Sequence, residues 1–590
     1  MAFQYLSVTD GPTTQRQGAL INLSSGKNQN TGERAEAMKN YKILDILRRG
    51  RTDLENHLID GLVDGRVSRR EFIRHGSLLG LSLPFLGSVG FAAGFGGMPG
   101  LARAQGAPGA TIRVASSVPA AAIEPVSVAD AGGLLMLQQV GEFLCLDGPD
   151  LVLKPMLAES WKPNDKGDVW TFILRKGVKF HSGAEMKADD VVASFDRLAD
   201  PANSSNALSV FTGYLQKGAT KKVDDYTLEF HLDAPNGNFP YMVSSDNYNA
   251  IIIPADYKGD FEKNFNGTGP FKLEKYTPKV GASFVRNDDY WGEKALPDRT
   301  EFTFFGDIQP MILALQGRQV DVINQLPVLA GVGLLNDPNV EILSLKSVAH
   351  HQVHMRTDMD PFKDPRVRRA IALSIDRNKL QKGLMRGRAS LGNDSPFAPV
   401  FPSTDTSVAQ RQQDLTQAKQ LMEAAGAGKG FKVTLTTERY LEIPEYAVLI
   451  QNAVKEIGID LELSILDQGA YYGDAVFGKS NWLDSVMGIT DYGHRGVPNV
   501  YLSAPLKSEG TWNSAHFKNK DYDQLASGYI AALDLEAQKQ TAGKIQNLLL
   551  EETPVIFGYF FDYLTATAKG VTGVQPTAMS QNYLDRAAKA

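Results

Sequence analysis

Trp170-Thr171-Phe172-Ile173-Leu174-Arg175-Lys176-Gly177-Val178-Lys179-Phe180-His181-Ser182-Gly183 is the stretch from which the fold is read. Residues 170–174 alternate apolar and polar, as a half-buried strand does. Lys176-Gly177 then reads as a turn, and Val178-Lys179-Phe180 as the second strand of a hairpin. Lys187 to Phe195 follows as a helix start, with Ala188 or Asp189 near its cap. Working outward, Thr111–Ala115, Thr227–Leu232, Ala282–Arg286 and Glu301–Phe305 read as further strands. Beyond Asp364-Pro365-Arg366 the spacing turns helical. Phe431–Thr436 (strand), Pro444–Ile457 (helix, proline at its first position) and Asp460–Ile465 (strand) then give a β-α-β order. That order predicts an α/β chain with partly parallel pairing. Asp521 to Glu551 reads as two helices and Val555 to Phe560 as a final apolar strand. No repeat of 20–50 residues is evident.

Composition narrows the class. Hydrophobic residues make up 43% and charged residues 22% of the 590, as in an ordinary globular chain. A net charge of −6 lacks the basic surface that a nucleic-acid partner requires. Cys145 is the single cysteine, so no intrachain disulfide forms and no lipid is attached at a signal. Near the N-terminus, Ser68-Arg69-Arg70-Glu71-Phe72-Ile73 precedes a glycine-rich apolar run that closes in Ala102-Arg103-Ala104. Paired arginines, a weakly apolar run and an A-x-A site predict a twin-arginine export signal, cleaved after Ala104, and a periplasmic protein. Residues 1–67 form a leader, polar and disordered up to about residue 32 and helical in spacing from Ala35 to Val63. A genuine leader and a misplaced start codon both fit it.

Several blocks together resemble a known family. They are Leu157-Ala158-Glu159-Ser160-Trp161, Phe172 to Gly183, Lys187-Ala188-Asp189-Asp190-Val191 through Arg197, Gly267-Thr268-Gly269-Pro270-Phe271, Arg286 to Gly292, and Asp364 to Ala370 with Ile375-Asp376-Arg377. In that order they resemble the family 5 extracytoplasmic solute-binding proteins, the peptide, nickel and opine receptors of ABC importers. The resemblance implies an α/β, two-lobe periplasmic binding protein fold of type II, with mixed sheets and an extra α/β subdomain in the first lobe. The implied division is 105–150 for the first part of lobe 1, 151–268 for the subdomain and 269–350 for the second part of lobe 1. Lobe 2 is then 351–555, and 556–590 returns to lobe 1. It also implies a monomeric receptor without enzymatic activity or cofactor. Its partners would be a small peptide or peptide-like ligand, an ABC permease in the inner membrane and, during export, the twin-arginine translocase. Opine, sugar and nickel-complex ligands share the scaffold. An exported hydrolase is the rival class, but Gly-x-Ser-x-Gly and His-Glu-x-x-His are both absent.

Other motifs are weighed residue by residue. Asp189 and Asp190 read as acceptors and dipole partners at a helix N-terminus rather than as paired catalytic acids. Gly267-Thr268-Gly269-Pro270 reads as a turn linking two lobes. In His350-His351-x-x-His354 a strand would put His350 and His354 on one face and His351 on the other. Such a pair would need further ligands to hold a metal. The second constellation is an alternating strand from Trp482 that ends in Thr490-Asp491-Tyr492, followed by a loop with His494 and Arg495. Strand ends and the loops after them are where α/β folds place ligand groups. In the family resembled, an aspartate in a similar setting pairs with the ligand's α-ammonium, and Asp491 matches it. Arg495 either pairs with Asp491 or binds a ligand carboxylate or phosphate bidentately. Tyr471, Tyr472, Trp482 and Trp512 offer flat amphipathic surface for a cleft, with Asn513 beside Trp512.

Overall fold

The computed structural model describes residues 110–589 and, ahead of them, residues 53–64 with positions 48, 66, 72 and 89. The chain divides into two compact units, Met1–Arg103 and Ala104–Ala590. Within the first, Asp53–Val63 is a helix with Ile59 and Leu62 buried, and Arg48 pairs with Asp60 at 2.5 Å. Phe72 is helical and buried. Ser68, Arg69 and Arg70 of the export motif, and the cleavage residues Ala102 and Ala104, lie outside the described residues. So does most of the leader. Among the described residues no helix is long and apolar enough to cross a membrane.

The second unit is built on three large sheets. The first has seven strands, in the order Val340–Leu345, Tyr563–Ala568, Val322–Ile323, Thr111–Ser117, Arg299–Phe305, Gly281–Arg286 and Phe271–Thr277. Thr111–Ser117 runs parallel to both of its neighbours and the outer pairs are antiparallel, so the sheet is mixed. Parallel neighbours need crossover connections, and the helix Ile308–Gln316 supplies one between Arg299–Phe305 and Val322–Ile323. The second sheet has six strands, ordered Ala389–Leu391, Val555–Phe561, His350–Met355, Met487–Tyr492, Phe431–Glu438 and Ile459–Leu466. The β-α-β expected from Phe431 is present: its two strands pair in parallel around the helix Ile443–Lys455, whose proline sits in the first turn. All six residues of His350–Met355 are buried, which suits a strand covered on both faces.

The third sheet is antiparallel, ordered Ala158–Pro163, Val169–Leu174, Thr227–His231 and Thr220–Asp224. The hairpin expected at Lys176-Gly177 does not form. Val169–Leu174 pairs instead with Ala158–Pro163 and Thr227–His231. Val178 to Met186 closes its own loop, with Lys179 bridging Glu185 and Gly177 N–H donating to Glu185 Oε1 at 2.9 Å. Phe230 packs edge-on against Phe172 and Phe195, holding the helix Ala188–Ala199 on the sheet. Asp190 Oδ2 accepts from Lys187 N–H at 2.8 Å and Asp189 pairs with Lys222 at 2.7 Å, so both acids are engaged at the helix start. Gly267–Pro270 links this third sheet to the first, inside one lobe, rather than joining two lobes. His181 N–H holds it from one side at 2.8 Å, and Asn287 Nδ2 from the other at 3.1 Å, on Gly269 O. A Cβ on Gly267 would lie 2.0 Å from Val140 O, so the approach requires glycine.

The first and third sheets make one lobe and the second sheet the other. The chain crosses between them at 346–349 and again at Asp562, between Val555–Phe561 and Tyr563–Ala568. Val555–Phe561 therefore belongs to the second sheet, and the return begins about six residues later than the sequence suggests. It is not the final strand either, since Tyr563–Ala568 and four short strands follow. The crossings are tied together: Asp562, its side chain 3% exposed, takes Lys346 Nζ at 3.0 Å and Ser344 Oγ at 2.8 Å. Ser347 Oγ also donates to Phe561 O at 2.6 Å.

In the second lobe two buried cation sites lock helices. Arg368 of the helix Pro365–Ser374 donates to Glu552 O, Thr553 O and Phe362 O, satisfying carbonyls left open at the end of Leu535–Glu552. Asp394, fully buried, takes Arg377 at 2.5 Å on one oxygen and Arg411 at 2.6 Å on the other.

Candidate functional site

A cavity of about 460 Å³ lies between the two lobes. Asp130, Tyr248, Gln325 and Ser580 reach it from the first lobe, Tyr440, Asp491, His494 and Arg495 from the second, and Ala349, Phe561 and Tyr563 from the crossings. Strand alternation explains why Asp491 belongs to it. In the antiparallel pairing of His350–Met355 with Met487–Tyr492, Asp491 sits opposite His351 and Tyr492 opposite His350. The first pair meets the cavity side. The second faces the other way, into an aromatic cluster, where His350 stacks on Tyr492 at 5.4 Å and lies 4.5 Å from Phe557.

The expected constellation is thus divided. Asp491, His494 and Arg495 line the cavity together. Tyr471, Trp482, Tyr492 and Asn513 do not, and this corrects the expectation of a cleft wall. Tyr471 is fully buried, its hydroxyl 2.8 Å from Thr490 Oγ1. Trp482 belongs to the short helix Asn481–Asp484, not to the strand, and packs on Tyr472 at 5.2 Å. Trp512 closes the same cluster against Trp482 and Tyr492. Asn513 pins a turn, its Nδ2 donating to Lys507 O and Phe517 O. These aromatics support Asp491 from behind. Half-buried Tyr472 donates to Glu438 Oε1 at 2.7 Å, and the same oxygen accepts from Asp491 N–H at 3.3 Å.

The charges pair otherwise than the loop suggested. Asp491 keeps 22% of its side chain exposed, and its nearest charged or ionisable partner is His351, Nε2 to Oδ1 at 3.3 Å. On the first-lobe side burial pushes the Asp246 carboxyl up, and the positive charge of Arg495 pulls it back down. Arg495 Nη1 also donates to His494 O at 2.7 Å, and Gly496 N–H donates to Asp246 Oδ1. The loop after the strand is therefore hooked across the lobes. Tyr440, Tyr248, Gln325 and Asp130 carried no sequence signal as site residues, because segments far apart in the chain bring them here. Only Asp130 is locally marked, as the cap of the helix Ala131–Val140.

The three strand histidines are each engaged separately. His350 Nδ1 is 2.8 Å from Val348 O, His351 Nδ1 2.7 Å from Tyr559 Oη, and His354 Nε2 3.2 Å from Ser485 O. Burial holds His350 down to about 3 and His354 to about 4, so both are neutral. Among the described residues, Asp147, Asp246 and His494 do converge, with ligand atoms within 4.8 Å of one another. The set fits a cation poorly. His494 Nδ1 accepts from Val348 N–H at 3.2 Å, which leaves the proton on Nε2, and the charge of Arg495 already acts on Asp246.

This buried carboxyl pair has a pH consequence. Burial raises Asp147, with Asp246 and then Asp150 adding to the shift, while burial raises Asp246 against Arg495. His494, held down to about 3 by burial and so neutral here, and the Lys154 ammonium also lie nearby. A raised carboxyl contributes stability that is full below the usual value near 4 and is lost as pH rises through the raised one. Asp147→Asn is therefore expected to gain about 1–2 kcal/mol at pH 8 and little at pH 5. Glu142, pushed up to about 7 by burial against donors from Trp291, Tyr290 and Thr268, keeps its own slope of the same sign in the variant. Urea unfolding at the two pH values checks this, and equal shifts at both would contradict it.

The comparisons with known proteins agree with this architecture. The profile of the "Bacterial extracellular solute-binding proteins, family 5 Middle" matches residues 152–496. The chain is 26% identical over 437 residues to the Heme-binding protein A of Haemophilus influenzae, covering 68% of this chain and 78% of that one. It is 26% identical over 472 residues to the Di/tripeptide-binding protein 2 of Pseudomonas aeruginosa, covering 73% and 86%. The periplasmic binding protein DppA of Helicobacter pylori, solved with the peptide STSA, shares the fold at a TM-score of 0.66 and 23% identity, over 83% of this chain and 99% of that one. With more than half of its length matched in order, the chain belongs to the bacterial extracellular solute-binding proteins of family 5.

Proposed function

We propose that this protein is the receptor of an ABC importer, capturing a small peptide or peptide-like solute between its lobes and delivering it to a permease in the inner membrane. The observation that carries the reading is the cavity lined from both lobes with the Asp491 carboxylate on its wall. An ionised carboxylate in a closing cleft needs a cationic partner, which an α-ammonium supplies. Contacts to both lobes bias closure about the tied crossings at 346–349 and Asp562. Relatives named for di- and tripeptides support the ligand class. The reading includes export by the twin-arginine translocase through Ser68, Arg69, Arg70 and Phe72, cleavage after Ala104, and work in the periplasm as a monomer. It assigns no catalysis, in keeping with a family of solute-binding proteins.

Native mass spectrometry of protein purified from periplasm, then denatured to release its ligand, tests this. A released mass fitting a short peptide is the expected result. A released opine, sugar or metal complex would replace the ligand class and keep the receptor, whereas turnover of the bound molecule would favour a hydrolase.

A further inference from the structure

We propose that His351 is the positioning residue for Asp491, orienting the ligand-facing carboxylate through a one-way chain from Tyr559 while leaving its charge uncancelled. This deepens the peptide reading and rests on Asp491 as the group that meets the ligand. Strand register sets the two side by side, with His351 Nε2 3.3 Å from Asp491 Oδ1. Both atoms are buried, and neither has an aligned hydrogen-bond partner, so each is the other's natural complement. On the far side His351 Nδ1 lies 2.7 Å from Tyr559 Oη. The ring is fully buried, 5.1 Å from Phe561 and 5.6 Å from Tyr559, and cannot turn away.

The direction of the chain follows from donor counting. A neutral imidazole has one N–H and one bare nitrogen. Asp491 Oδ1 only accepts and faces Nε2, which calls for the N–H there and leaves Nδ1 to accept from the Tyr559 hydroxyl. The proton of His351 then sits on Nε2 and faces the carboxylate, which only accepts. A cation in that place would neutralise Asp491, but Arg495 forms no ion pair with it and donates to His494 O. A neutral donor instead fixes the carboxylate and leaves a full negative charge for the ligand. The small rotation that an ammonium on the other oxygen imposes would bring the Nε2–H into line.

Two measurements decide it. Nitrogen-15 NMR of histidine-labelled protein resolves the imidazoles, and His351→Gln assigns the signal in question. A protonated Nε2 with a bare Nδ1 is expected for His351 at neutral pH. The opposite tautomer, or a zinc-induced shift of Nε2, overturns the proposal. The second is calorimetry with tri-alanine as the probe. His351→Gln, which keeps a donor, should stay within about threefold of wild type, while His351→Leu should lose roughly 10–100-fold. Thermal melts verify that both variants are folded. Equal affinities for the two overturn the positioning role. If wild type does not bind tri-alanine, the peptide reading fails, and the tautomer still decides the chain from Tyr559.

Discussion

Asp491→Asn is expected to lower affinity for the natural ligand by roughly 100- to 3000-fold while leaving the fold intact. The change removes one charge and almost no volume. Asparagine still offers an oxygen to His351 Nε2 and leaves the backbone N–H on Glu438 Oε1. In the free protein the cost is small, because the side chain is 22% exposed to the cavity. In the closed complex water is excluded, and a ligand ammonium that has lost its carboxylate is left buried and unpaired. Breaking such a pair costs about 3–5 kcal/mol, or two to three and a half decades at about 1.4 kcal/mol each. Calorimetry with the ligand recovered by native mass spectrometry gives the number. An N-acetylated version of a peptide ligand should lose affinity for wild type and be nearly indifferent to the variant. An unchanged dissociation constant would remove Asp491 from the site.

The largest expected loss of stability is at Asp394, far from the cavity wall. Its carboxylate carries Arg377 on one oxygen and Arg411 on the other, and Phe557 N–H at 3.2 Å besides. The side-chain exposures are 0%, 2% and 9%, so none of the three is screened by water. Asp394→Asn keeps the size and tolerates the left-handed backbone at φ 50°, yet leaves two buried guanidinium charges facing a neutral amide. A loss of about 3–5 kcal/mol is expected from urea unfolding at pH 7. A loss below about 1 kcal/mol would mean that water reaches the pair. Replacing Arg377 and Arg411 by leucine in the Asp394→Asn background should recover much of the loss, since removing the buried charges entirely is far cheaper than leaving them unpaired.

What the sequence made legible follows from which forces are local. Periodicity, proline at a helix start and acidic caps are settled within a few residues, so the strand Phe431–Glu438, the helix Ile443–Lys455 and the role of Asp190 could be read directly. The hairpin after Leu174 was misread because Lys176-Gly177 is a turn in either case. What chose the partners was Thr227–His231, more than 50 residues on, whose apolar face completes the sheet under Phe195. At the site, Asp491 was legible from its place at a strand end, but its neighbour was not. His351 is 140 residues earlier, and only the register of two strands brings them together. The aromatic residues failed for a related reason. Tyr471 and Trp482 have the same composition whether they wall a cleft or fill a core, and the decision is made by Phe557, Phe560 and Tyr501 closing in from elsewhere.

The tied crossing also has a bearing on how such a chain is assembled. Everything from His350 to Phe561 leaves and re-enters the first lobe through two adjacent points, and the residues just outside them, Leu345 and Tyr563, are already cross-strand neighbours. The second lobe is thus an insertion at the tip of a ready-made hairpin. A two-residue turn joining Leu345 to Tyr563 would close that hairpin, but it would also bare the apolar core that the inserted segment shares with Ile308–Gln316.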